Sequence, residues 1–129
     1  MDLITQKVCM TRDLGVHGNL FGGNMLSWID EAAGLQAAKI CRTPNMVTLK
    51  MEEVIFKKPV KVGFIINIYG KITRMGKSSI TLLMEARKHN VRTEEETPVC
   101  TTCIVFVRID KMGNPSPIDS TIRDKYKHL

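Results

Sequence analysis

A chain of 129 residues, 43% hydrophobic and 25% charged, has the size and balance of one globular domain with one core. Its formal charge of +6 points to an anionic partner, and no window approaches the roughly 18 apolar residues of a membrane-spanning helix. The opening Met1–Lys7 lacks the basic region and apolar run of a secretion signal, so a cytoplasmic protein without membrane attachment is expected.

In chain order, an apolar strand is expected around Leu3 to Met10, followed by a turn-rich loop from Thr11 to Phe21. A helix then spans about Gly23 to Ile40, and Thr43-Pro44-Asn45 ends it because proline disfavours helix in the residue before it. Beyond that point the apolar period switches to two. Val47, Leu49 and Met51 alternate with polar neighbours; Phe64, Ile66, Ile68 and Ile72 form a second set. Ile80, Leu82, Met84 and Ala86 share one face of the next strand, and Cys103, Val105, Val107 and Ile109 share one face of the last. Turns fall at Lys58-Pro59 with Gly63, at Met75-Gly76-Lys77, in the acidic loop Arg92 to Thr97, and at Met112-Gly113-Asn114-Pro115. Residues 1–118 read as the domain. Residues 119–129 read as a polar C-terminal segment, either a short helix or a frayed tail.

One long helix and about five antiparallel strands make an α+β domain. A single helix covers only one face of such a sheet. The other face or an edge therefore needs a partner, and a homodimer is the simplest solution.

The glycine pair Gly22-Gly23 opens the helix, where unpaired backbone N–H groups and the positive dipole end can polarise a carbonyl. Farther along, Asp30 lies at the rim of the apolar stripe, next to Leu26, Ala33 and Ala37. Glu31 sits about 100° further round, away from the core. Of the two acids, Asp30 is placed to act as a general base or nucleophile. Gln36 falls within the apolar face and needs a backbone or water partner. Seven residues separate Gly23 from Asp30, about 10 Å along a helix axis. One ester or thioester cannot touch both on one helix. A reaction that uses both needs two protomers.

Cys100 and Cys103 form a C-x-x-C inside a strand, where residues three apart face opposite sides, so they read as reduced packing cysteines and no metal site is expected. Between Lys57 and Arg92 lie nine basic residues and one acid, Glu85, which suits a phosphorylated small molecule or another polyanion. Gly70 to Ser78 imitates a phosphate loop, but its glycines are separated by five residues instead of four and it joins two strands. With 5% aromatic residues there is no stacking platform for nucleic acid.

The run Gly18-Asn19-Leu20-Phe21-Gly22-Gly23-Asn24-Met25-Leu26-Ser27-Trp28-Ile29-Asp30-Glu31-Ala32-Ala33 resembles the hotdog-fold acyl-CoA thioesterases, of the YciA type and the brain-type cytosolic hydrolases. The likeness continues through Val47-Thr48-Leu49, Ile55–Gly63, Tyr69-Gly70, Arg74–Ser79, Phe106–Asp110 and Gly113-Asn114-Pro115. It implies a long helix wrapped by a curved antiparallel sheet, with two units pairing into one continuous sheet and three such dimers forming a hexamer. It implies that Asp30 is the base or nucleophile, that Asn19 orients water or thioester, and that the amide of Gly22 or Gly23 of the opposite protomer polarises the carbonyl. It assigns coenzyme A binding to Arg74, Gly76, Lys77, Ser78 and Ser79, with Lys58 nearby. Coenzyme A enters as part of the substrate, and no separate cofactor is implied. The sequence departs from the family pattern after Asp13 and at Asn24, both beside the acyl pocket, so chain-length preference stays open. A dehydratase of the same fold would use His17 and Glu31 instead, and an acyl-CoA sensor would need neither Asn19 nor Asp30.

Overall fold

The computed structural model describes residues 1–129. Its elements are β1 (Asp2–Val8), a 3-10 turn (Thr11–Asp13), α1 (Gly22–Cys41), β2 (Met46–Phe56), β3 (Ile65–Met75), β4 (Ser79–His89), β5 (Glu96–Arg108) and α2 (Ser120–Lys125). The five strands form one antiparallel sheet in the order β1-β3-β4-β5-β2. The expected long helix and five strands are all present.

Helix α1 lies across one face of the sheet. It buries Met25, Ile29, Ala32, Ala33, Gln36, Ala37 and Cys41, spaced to share one side at 3.6 residues per turn. Ile40, which the pattern sets on this side, is only partly buried. The helix ends as Arg42 turns left-handed at φ 54° and its amide bonds to Ala38 O. Opposite it, Ile66 and Ile68 of β3, Ile80, Leu82, Met84 and Ala86 of β4, and Cys100, Ile104 and Phe106 of β5 close the core. On β5 the core takes the set that alternates with Cys103 and Val105. Val99 and Cys100 are both buried because β5 carries an extra residue where Ala86 pairs with Cys100 and Arg87 with Pro98. Alternation alone does not reveal that bulge.

Two strand boundaries differ from the pattern. β1 stops at Val8 because Asp13 Oδ2 accepts the Met10 amide at 2.9 Å and draws the chain into the 3-10 turn. β5 starts at Glu96, inside the expected acidic loop, because Glu96 is held by the sheet's outer face. There its Oε1 accepts from Tyr69 Oη and Asn67 Nδ2, both at 2.7 Å, and Arg87 donates to its Oε2 at 3.3 Å. Arg87 also pairs with Glu85 at 2.6 Å and stacks 4.0 Å from the Tyr69 ring centre. The Tyr69 hydrogen bond, aided by Asn67 and Arg87, holds the Glu96 carboxyl below its ordinary value of 4.5. A depressed folded-state value contributes stability that is present above the ordinary carboxylate range and disappears as the pH falls through it. Parent and Glu96→Gln should therefore differ in melting temperature at neutral pH, and the gap should begin to close below about pH 4.5 and vanish only once the pH is under the lowered folded-state value. A constant gap down to pH 3 would remove Glu96 from the acid transition.

Gln36 finds its partner in β3, donating from Nε2 to Gly70 O at 3.2 Å. A Cβ at Gly70 would fall inside the van der Waals envelope of Gln36 Oε1 and 2.8 Å from Met84 Sδ. Gly70→Ala should therefore destabilise by about 1–3 kcal/mol in denaturant titration, as overpacked cores do. With Gln36→Ala added, the double variant should lose less than the sum of the two single losses, the Met84 contact remaining, and an additive double variant would mean the two residues do not collide.

The four cysteines are free; Cys9, Cys41 and Cys100 are buried and Cys103 is half-buried. Burial raises all four thiols, and pushes Cys41 and Cys100 to about 11.

Candidate active site

The loop before α1 is clamped at several points. Gly15 donates to Asn19 O at 2.8 Å, Leu20 to Val60 O at 2.8 Å and Phe21 to Asp13 O at 2.9 Å. Gly18 takes φ +75°, a conformation that glycine reaches without strain. Asn24, at the family departure, secures the same loop by donating Nδ2 to Asp13 O at 3.1 Å. The result is a half-buried Asn19 whose Oδ1 is sealed from solvent and has no hydrogen-bond partner.

Asn19 and Gly22 open together onto a cavity of about 370 Å³, floored by Met25, Val60 and Val99 and rimmed by Phe56 and Lys58. Helix α1 begins here without a capping side chain and without an acid in its first turn. The amides of Asn24 and Met25 bond to Phe21 O, whereas those of Gly22 and Gly23 bond to nothing in the chain. These are two donors at a positive dipole end, next to an orphaned amide oxygen. The glycines fit because a Cβ on Gly22 would come 3.2 Å from the Phe56 ring, and one on Gly23 would come 2.7 Å from the Phe21 ring.

Asp30 lies outside this cavity, two turns down α1, on the flank that faces β2. Its Oδ1 accepts from Thr48 Oγ1 at 2.7 Å. Thr48 was not among the residues singled out for the site, although two signals mark it: its place among the polar alternates of β2 and the Val47-Thr48-Leu49 segment of the resemblance. Strand β2 is an open sheet edge beside Asp30 and exposes Val47, Leu49, Ile55 and Phe56. Within one protomer, therefore, the candidate base and the candidate carbonyl-polarising amides do not meet.

The basic groups are likewise divided. The turn from Arg74 to Ser79 is tightened by Gly76 N to Ser79 O at 2.8 Å, with Arg74 and Lys77 exposed. It lies where Ser79 pairs with Val107, at the end of β5. Lys58 follows Phe56, which pairs with Cys100 near the start of β5. The resemblance sets Lys58 near the turn; the sheet puts the two at opposite ends. Arg87 and Lys88 leave the basic set too, the first bound to Glu85 and Glu96 and the second 5.4 Å from the centre of the Phe64 ring.

The residues of the rival dehydratase reading do not converge. Glu31 pairs with Lys7 of β1 at 3.3 Å, on the flank away from β2, and His17 is exposed in the loop. No group of His, Cys, Asp and Glu side chains is assembled for a metal. No helix is long and apolar enough to cross a membrane.

The sequence profile of the thioesterase superfamily matches residues 17–95, which contain Asn19, the glycine pair, Asp30 and the basic turn. The chain belongs to the thioesterase superfamily. Among its relatives are an uncharacterized acyl-CoA thioester hydrolase, YkhA, of Bacillus subtilis, 32% identical over 91% of this chain and 67% of its own, and the acyl-CoA thioester hydrolase YciA of Salmonella typhimurium, 26% identical over 91% and 90%. Among solved structures, a hexameric hotdog fold thioesterase of Campylobacter jejuni superposes with a TM-score of 0.86 at 29% identity, covering 98% of this chain and 97% of that one. An aspartate-to-alanine mutant of a hexameric broad specificity acyl-coenzyme A thioesterase gives 0.88 at 25% identity, covering 99% of both chains. This thioesterase-superfamily protein thus has the hotdog fold.

Proposed function

We propose that this protein hydrolyses acyl-CoA thioesters at a site assembled from two protomers. The separation of Asp30 from the Asn19–Gly22 cavity carries this reading. The two parts have complementary chemistry, and Asp30 stands beside an open strand edge with exposed apolar side chains. Pairing β2 with its copy would cover that edge and bring each Asp30 toward the other protomer's cavity. The same pairing offers one substrate access to Lys58 and to the distant basic turn. Relatives described as hexameric acyl-CoA thioesterases support the substrate class and suggest a further assembly of three dimers.

In the reaction, the free amide of Gly22 or Gly23 donates to the thioester oxygen as negative charge develops there, a contribution typically of a few kcal/mol. Asn19, which lines the cavity beside Gly22, orients the attacking water or the thioester. Asp30 takes the water proton as oxygen bonds to the carbonyl carbon, with Thr48 fixing the carboxylate. The carbon–sulfur bond then breaks, and the proton on Asp30 passes to the departing coenzyme A thiolate. Attack by the carboxylate itself would form a mixed anhydride that water reopens, with the same net balance.

Thiol release from a panel of acyl-CoAs of graded chain length tests this reading, with parent and Asp30→Asn compared. Turnover by the parent that Asp30→Asn abolishes supports it. Equal turnover by both chains removes Asp30 from the reaction.

A further inference from the structure

The C-terminal residues do not trail off the domain. Ser116 donates to Arg108 O and Ile118 to Lys77 O, both at 2.8 Å, and Ile118 is fully buried. Arg108 Nη1 reaches Pro117 O at 3.1 Å, and Asp119 caps α2 by accepting from Thr121 N at 2.8 Å and Thr121 Oγ1 at 2.6 Å. Ile122 packs against the core. These bonds seat α2 over the β3–β4 turn, and the two border an open surface groove of about 350 Å³ lined by Met75, Gly76, Lys77, Arg123, Asp124 and Lys127.

Three cations and one acid face this space. None of Lys77, Arg123 and Lys127 forms an ion pair. Arg123 uses only Nε, on Ile118 O at 2.8 Å, which holds the guanidinium in place and leaves both terminal nitrogens without a partner in the chain. A fixed guanidinium fork with two lysine point charges is the donor set that phosphate oxygens require. Asp124 weakens the field without neutralising it.

We propose that α2 completes a phosphate receptor for the nucleotide end of coenzyme A, with Arg123 and Lys127 acting together with Lys77 of the turn. This assignment rests on the acyl-CoA reading above and extends it to residues outside the segment matched by the family profile. The occupant is either the 3′-phosphomonoester or the diphosphate, which present the same oxygen chemistry.

Steady-state kinetics on acyl-CoA, acyl-3′-dephospho-CoA and acyl-pantetheine test the assignment, together with calorimetric binding of adenosine 3′,5′-bisphosphate. Lys127→Ala is the safer variant, since that side chain makes no hydrogen bond in the fold; Arg123→Ala and Arg123→Lys accompany it. For acyl-CoA, each alanine variant should raise KM roughly tenfold with kcat little changed, and Arg123→Lys should recover part of the loss. Acyl-pantetheine should be hydrolysed alike by parent and variants. If acyl-3′-dephospho-CoA is insensitive to the variants, the monoester is the occupant; if it is sensitive, the diphosphate is. An unchanged KM for acyl-CoA, or an equal rise for acyl-pantetheine, overturns the receptor. A parent that hydrolyses nothing, yet loses adenosine 3′,5′-bisphosphate affinity in both alanine variants, would refute the hydrolase reading and leave the receptor standing.

Discussion

Replacing Asp30 by asparagine is expected to lower acyl-CoA turnover by roughly a thousandfold, within the range that a positioned general base contributes. The substitution preserves shape. An asparagine carbonyl can still accept the Thr48 hydroxyl that now bonds Oδ1 at 2.7 Å, so the helix and the β2 edge should stay in place. What disappears is the ability to take a proton or to form a bond to the acyl carbon. The loss should fall on kcat, with KM for acyl-CoA little altered, because the cations proposed to bind the substrate lie elsewhere. Circular dichroism and thermal melting of the variant establish that a fold remains to be measured. If kcat persists in a folded Asp30→Asn protein, another group supplies the base.

Mixing two inactive variants should restore activity. In Asn19→Ala the cavity beside Gly22 loses its buried carboxamide; in Asp30→Asn the opposite half of the site loses its base. If every site takes one half from each protomer, a mixed dimer contains one fully native site and one doubly damaged site. Random exchange makes about half of the dimers mixed, so activity should approach about a quarter of the parent value once subunits re-equilibrate. A brief denaturant pulse provides that exchange. Recovery tests the geometry independently of the substrate's chain length. Continued silence after verified exchange would place both halves of the site on one protomer.

Much of the architecture was legible because its causes are local. The inward residues of β4, Ile80, Leu82, Met84 and Ala86, repeat every second position, and α1 shows its buried stripe at helical spacing. Asp30 stood out for a related reason, as an acid at the rim of that stripe. The parts that escaped depend on contacts between distant segments. The bulge that turns both Val99 and Cys100 inward is set by pairing with β4. The Thr48 bond to Asp30 needs the β2 edge to pass beside α1, and Glu96 joins a strand because Tyr69, Asn67 and Arg87 converge on it. Lys58 shows the same limit. It shares its charge with the Arg74–Ser79 turn, but the antiparallel ladder sends the two to opposite ends of the sheet. A short C-terminal helix was one of two readings of the polar end, but its docking stays hidden until Ile118 is seen in the core.

The protonated state of the four cysteines has a chemical consequence for a protein proposed to liberate a thiol with every turnover. Coenzyme A that oxidises to its disulfide would otherwise exchange with any nearby protein sulfur, and exchange requires the attacking thiolate. Cys41 and Cys100, at about 11, and the similarly raised Cys9 and Cys103 supply almost none at neutral pH. Burial thus protects the protein from becoming a mixed disulfide with its own product.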